Sequence, residues 1–229
     1  MTNVMTWNTG ITESLSDHDK CAEILHYVAE FLKKENAIVF LQQIVCKKPH
    51  SQTQHDIFKM FLEYFQEKYS IEFYKGSSFM MTVAIGPKDR LKALGTEYLP
   101  DGRPKNRSVA VEFNNISFLG VHGDNGMDNK LFLNGINGKA DVILGDFNAG
   151  NYPESENSKI FNGILGEHVC ICNMPTKITS SGRRTCIDHV FVRDNLVSGC
   201  ANLIVHEEIT LSDHFPITFE ILQNREKQG

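Results

Sequence analysis

The sequence predicts an α/β protein, a sandwich of β-sheets flanked by helices, and three observations carry that expectation. The apolar patterns run strand, helix, strand, helix, and then many strands with few helices. Residues 37–44 (AIVFLQQI) are almost continuously apolar, the mark of a strand covered on both faces. Four apolar runs end in the polar side chains Asn8, Gln43, His122 and Asp146, and ligands of open α/β sheets gather just beyond such ends.

Taken in order, residues 4–8 alternate as a short strand. Residues 14–19 supply several N-cap side chains, and Ile24, Leu25, Val28, Phe31 and Leu32 follow at helical spacing. Beyond the 37–44 strand, a second amphipathic helix is expected over residues 53–69, with Ile57, Phe58, Phe61, Leu62 and Phe65 facing inward. Strands are expected at 71–74, 79–85, 108–113, 116–121 and 141–144. A helix near 154–165 then precedes strands at 186–192 and 215–221.

With 229 residues, 41% hydrophobic and 22% charged, the chain can bury a substantial core. No repeat or linker-like stretch divides it, so residues 1–229 are expected to form a single domain. The apolar runs fall far short of the ~20 residues that a membrane helix needs, and the start of the chain lacks the pattern of a signal peptide. A cytoplasmic monomer without membrane contact is therefore expected. The net charge of −5 excludes a general positive coat, so any nucleic-acid affinity must come from a local patch. Six cysteines without C-x-x-C spacing argue against structural zinc and read as reduced, mostly buried thiols.

The polar motifs each have a bland alternative. Gly145-Asp146-Phe147-Asn148 follows an apolar strand; in extended chain Asp146 and Asn148 share a face, suited to a phosphate, its water and a cation. The alternative is an Asx turn. Ser212-Asp213-His214 sets a carboxylate beside an imidazole, or is a polar turn. Asp188 opens a face continued by Val190 and Val192, and a buried charge needs a partner, for which His214 is the best candidate. His189, on the opposite face, reads as structural. His122 lies between small glycines that would let a ligand approach. Lys47, Lys48, Arg103, Lys105, Arg107, Lys177, Arg183 and Arg184 cluster along the chain near these strand ends, which suits an anionic substrate.

Thr6-Trp7-Asn8, Phe40-Leu41-Gln42-Gln43, His122, Gly145-Asp146-Phe147-Asn148, Pro175-Thr176, Ile187-Asp188-His189-Val190-Phe191-Val192 and Ser212-Asp213-His214-Phe215-Pro216 come in one order along nearly the whole chain. In that order the sequence resembles the endonuclease/exonuclease/phosphatase superfamily of metal-dependent phosphoesterases. The resemblance implies a four-layered sandwich, two packed mixed β-sheets flanked by helices, with the site at one end. It implies Mg2+ or Mn2+ at Asn8, Gln43 and Asp213, and catalytic roles for His122, Asp146, Asn148, Asp188 and His214. It also implies a phosphodiester substrate; DNA, RNA or a short or cyclic oligonucleotide leads, with a non-nucleotide phosphoester as the alternative. One departure stands out. The family's motif ends in Gln-Glu, whereas this chain has Gln42-Gln43, an uncharged and weaker donor to a hard cation. A Glu→Gln change among intact motifs, natural or introduced, implies weakened or abolished turnover, and at the limit a silent phosphate- or nucleotide-binding module.

Overall fold

In the computed structural model, residues 1–11, 18–45, 52–74, 80–100, 107–124, 129–150, 161 and 166–222 are described. In chain order the elements are β1 (Thr2–Asn8), α1 (His18–Leu32), β2 (Ala37–Val45), α2 (Gln52–Phe65), β3 (Tyr69–Phe73), β4 (Met80–Pro87), β5 (Lys92–Ala93), β6 (Ser108–Phe113) and β7 (Ile116–His122). They continue with α3 (Asn129–Asn134), β8 (Val142–Asp146), β9 (His168–Cys170), β10 (Lys177–Ile178), β11 (Arg184–Thr185), β12 (Asp188–Arg193), β13 (Cys200–Val205) and β14 (Ile217–Ile221). One six-stranded sheet has the order β13-β14-β1-β2-β4-β3 and the other β5-β6-β7-β8-β12-β9. Each contains one parallel pair, β1 with β2 and β7 with β8, among antiparallel ones, so both sheets are mixed.

Strand parity sorts the apolar side chains into three layers of core. Met5, Trp7, Val39 and Leu41 point outward from the first sheet and are covered by Ile24, Leu25 and Val28 of α1 and by Ile57, Phe61 and Phe65 of α2. The alternate residues Val4, Ile38 and Phe40 point inward against Phe118, Val142, Leu144, Val190 and Val192 of the second sheet. On the far side, Leu119, Val121, Ile143 and Phe191 pack under Phe132 and Leu133 of α3 and under Phe161. The result is the expected four-layered α/β sandwich. No helix among the described residues is long and apolar enough to cross a membrane.

The structure departs from the sequence expectations in particular places. The helix expected to reach residue 69 stops at Phe65, because Tyr69 already pairs with Pro87 at the start of β3. The second strand does not end at Gln43. It continues to Val45 through an irregularity in its pairing between Leu41 and Ile44, where Gln43 adopts φ 58°. Strands β5, β10 and β11 have two residues each, too few for periodicity to reveal. The helix near 154–165, apart from Phe161, lies outside the described residues, as do Cys46, Lys47, Lys48, Arg103 and Lys105. Cys21, Cys172 and Cys186 are buried, and burial pushes the Cys172 and Cys186 thiols up to about 12, as inert structural thiols require.

Candidate active site

The same parity that builds the middle core places the polar residues. Along β1, β7, β8 and β12, the side chains of Asn8, His122, Asp146 and Asp188 occupy the inward face that Val4, Phe118, Leu144 and Val190 occupy farther along. Register completes the arrangement: Asp146 stands opposite His122 on one side and Asp188 on the other, in one row across the second sheet. Asn8 ends β1 on the facing sheet, and its Nδ2 donates across the gap to Asp146 Oδ2 at 2.8 Å. Where the middle core stops, a row of buried polar groups takes over at one end of the sandwich.

Asp146 is the centre of this row. Its Oδ1 accepts the Asn148 N–H at 2.7 Å, and its Oδ2 lies 3.8 Å from His122 Nε2 and 3.7 Å from His214 Nε2. Two imidazoles thus face one carboxylate oxygen. Burial, reinforced by the neighbouring Asp188 charge, pushes the Asp146 carboxyl up to about 6.

His214 Nδ1 donates to Asp188, 2.9 Å from Oδ2 and 3.0 Å from Oδ1, so Nε2 is the nitrogen turned to Asp146. Burial works against a charged His214 ring, but the Asp188 charge and hydrogen bond, with Asp146 behind them, prevail and raise its pKa. Thr176 Oγ1 donates to Asp188 Oδ2 at 2.6 Å, and Trp7 Nε1 donates to the His214 carbonyl at 2.9 Å. Sequence reasoning gave Thr176 and Trp7 no role beyond membership of their motifs. Each is buried with its polar atom spent on holding the pair.

His122 behaves differently. Arg107 Nη1 lies 3.5 Å from its Nδ1, and its buried Nε2 has no hydrogen-bond partner. Burial first, then the charges of Arg107, His214 and Lys177, lower its pKa to about 3, so the ring is neutral.

Asn148 is not the extended neighbour of Asp146 that the sequence suggested. The strand ends at Asp146, and Asn148 turns to φ 47° in the Asx-type turn closed by its N–H on Asp146. Its Nδ2 donates to the Gly123 carbonyl at 2.9 Å. The bland reading of this motif and its place at the site therefore coexist.

The three residues expected to hold a metal present oxygen donors of low charge. Gln43 Oε1 and Ser212 Oγ both border the space beside Gly10, at 3.9 and 3.7 Å from where a Cβ on that glycine would lie. Asn8 Oδ1 accepts the Gly10 N–H at 3.1 Å. Asp213, exposed, pairs with Lys177 at 3.1 Å. Amide and carboxylate oxygens are the right donors for a hard divalent cation, so the set fits one in kind. Asp146, Asp188 and His214 also bring one potential ligand atom each within 4.8 Å of one another.

Neither a protein-family model nor a curated protein matches this chain. Solved structures do. A 3'-5' exonuclease (NExo) from Neisseria meningitidis is 19% identical with a TM-score of 0.64, over 97% of this chain and 100% of that one. TDP2 from D. rerio, complexed with single strand DNA product, is 17% identical with a TM-score of 0.65, over 97% and 99%. An endonuclease/exonuclease/phosphatase family protein from Leptotrichia buccalis is 12% identical with a TM-score of 0.64, over 97% and 100%. Likeness of this extent across both chains establishes architecture, and this chain has the endonuclease/exonuclease/phosphatase fold that its motifs resemble.

Proposed function

We propose that the protein is a divalent-metal-dependent phosphodiesterase that hydrolyses nucleic acid or a short oligonucleotide, with turnover attenuated by Gln43. The observation that carries the reading is the convergence of His122 Nε2 and His214 Nε2 on one oxygen of buried Asp146, with His214 backed by Asp188. That is a water-activating carboxylate flanked by two rings that can contact phosphoryl oxygens. Asn8, Gln43 and Asp213 would hold Mg2+ or Mn2+, which when bound neutralises phosphoryl charge and stabilises the leaving oxygen.

Each side chain has a task in this scheme. Asp146, with a pKa near 6, is ionised at neutral pH yet basic enough to take a proton from water. Asn8 and the Asn148 N–H fix its two oxygens. His122, neutral, donates from Nε2 to a non-bridging oxygen. His214 offers Nε2 to the phosphate, and Asp188 keeps its tautomer. Asn148 supports the phosphate side of the cleft through its hold on Gly123.

A nucleic-acid substrate is supported by the structures that this chain is similar to, one named as an exonuclease and another bound to single strand DNA product. The net charge of −5 favours a short strand over a long duplex, which usually meets a more basic surface. Hydrolysis of single-stranded, duplex, abasic and cyclic oligonucleotides in Mg2+ or Mn2+ tests the proposal, with this chain and with Gln43→Glu run in parallel. Metal-dependent cleavage by the Gln43→Glu variant is expected. If both proteins are inert on every substrate, a binding module replaces the enzyme.

A further inference from the structure

We propose that Lys177 and Arg107 form a two-cation cradle that holds a phosphate anion at the Asp146–His214 centre without a divalent cation. The inference rests on the phosphoester reading of this site and assigns it two residues that the motifs do not name.

The cations stand on opposite sides of the centre. Lys177 opens β10, whose backbone bridges to His214, and its Nζ lies 3.1 Å from Asp213 Oδ2. Asp213 Oδ1 in turn lies 4.0 Å from His214 Nε2. Across the row, Arg107 Nη1 donates to the Gly123 carbonyl at 2.8 Å and lies 3.5 Å from His122 Nδ1, while Nη2 is 3.4 Å from Asp124. Both side chains are partly exposed, at 24% and 18%, so each is anchored at the rim and reachable from solvent. The fields of both reach His122, whose proton affinity they lower together with burial and His214.

A second, independent feature asks for an anion. A guanidinium only donates, so His122 Nδ1 must turn its lone pair toward Arg107, leaving the proton on Nε2. That Nε2–H is buried without a partner, beside Asp146. A buried donor left unpaired is costly, and a phosphate oxygen is the acceptor that this setting provides for.

Charge then decides how the anion is held. Among Asn8, Gln43 and Asp213 only Asp213 is anionic, and Lys177 already sits against it. The uncharged Gln43 both weakens the pull on a divalent cation and removes a negative charge that would repel phosphate. With a glutamate at 43, a metal would be needed to offset that repulsion. With glutamine, Lys177, Arg107 and His214 have one carboxylate fewer to offset beside Asp146, Asp188, Asp213 and Asp124.

The test is calorimetric titration of the full chain with inorganic phosphate, and with a 5'-phosphorylated thymidine trinucleotide, in EDTA and in Mn2+. The expected results are saturable binding in EDTA, a loss of about tenfold or more in affinity in Lys177→Gln, and near-full retention in Lys177→Arg. Gln43→Glu should weaken binding in EDTA and make it respond to Mn2+. Arg107→Gln, with its melting temperature checked, should reproduce the loss of Lys177→Gln. No binding in EDTA, or unchanged binding in Lys177→Gln, overturns the cradle. Hydrolysis is scored separately: cleavage in Mn2+ without binding in EDTA sinks the cradle alone, and binding in EDTA without cleavage by any variant sinks the enzyme alone.

Discussion

Asp188 illustrates what a single residue discloses. A carboxylate beginning an otherwise apolar strand face cannot stay buried unpaired, and that requirement alone pointed to His214. The structure supplies the bond, at 2.9 Å. Thr176 was not legible in the same way, since a threonine in a loop carries no sign that its hydroxyl will serve a carboxylate twelve positions away. Nor was the turned backbone of Asn148, because extended and Asx-turn readings of Asp-x-Asn differ only in dihedral angles. At this scale the pair makes a sharp prediction. In a Gln43→Glu background, Asp188→Asn should keep the fold but lower kcat by about 10³–10⁴, as loss of an orienting acid does when the imidazole takes the wrong tautomer. Steady-state kinetics on the best substrate checks it, and an unchanged kcat removes Asp188 from the mechanism.

The strands carry the site, and two local irregularities shape it. In β2, Leu41 and Ile44 lie in the same outer core although three positions apart, which strict alternation forbids. That spacing is the sequence sign of the bulge, masked by an apolar run that is so nearly continuous. The extra residue leaves Gln43 in a left-handed conformation, the kind of local strain that persists at functional sites when the surroundings enforce it. In β8, Gly145 has φ 133°, and a Cβ there would stand 2.1 Å from the Val121 carbonyl oxygen. The close approach of β7 and β8 brings His122 level with Asp146. Gly145→Ala is therefore expected to cost about 3 kcal/mol or more, with backbone strain added to overlap. Denaturant unfolding measures it, and a loss below 1 kcal/mol would mean that the strands can separate without penalty.

Across the whole molecule, layer order was legible and edges were not. The β-α-β-α opening, the double-faced 37–44 run and the many later strands were enough for a sheet sandwich flanked by helices, and the family resemblance implied its two packed mixed sheets. Short pieces such as β9, β10 and β11 depend on tertiary pairing rather than on local pattern. The buried histidines give the molecule a pH signature. His122 is held neutral, its pKa lowered from 6.5 to about 3, and burial lowers His189 as well. Unfolding lets both protonate near their ordinary value, so their contribution is fully present above about pH 6.5 and is lost as the pH falls from there through each folded value, about 3 for His122. His214, raised, acts in the opposite sense: its contribution is present below its ordinary value and is lost as the pH rises through the folded one. Melting temperatures of the chain and of His122→Gln between pH 4 and 7 should show a shallower acid loss in the variant. Parallel curves would mean that His122 titrates alike in the folded and unfolded states.

Titrating Mn2+ and Mg2+ into this chain and into Gln43→Glu, while following hydrolysis of one oligonucleotide, decides whether the protein is a metal-dependent phosphoesterase attenuated at one position. Restoring the carboxylate adds a charge and a potentially bidentate donor to the space beside Gly10 that Ser212 Oγ also borders, so the metal required for half-maximal rate should fall. The rate at saturating metal should rise more than substrate affinity does, because the metal acts mainly on charge that develops in the transition state. Metal-dependent hydrolysis is expected to appear or rise steeply in Gln43→Glu. Full activity already present in the unaltered chain, with no change in metal requirement on restoring the glutamate, would contradict it.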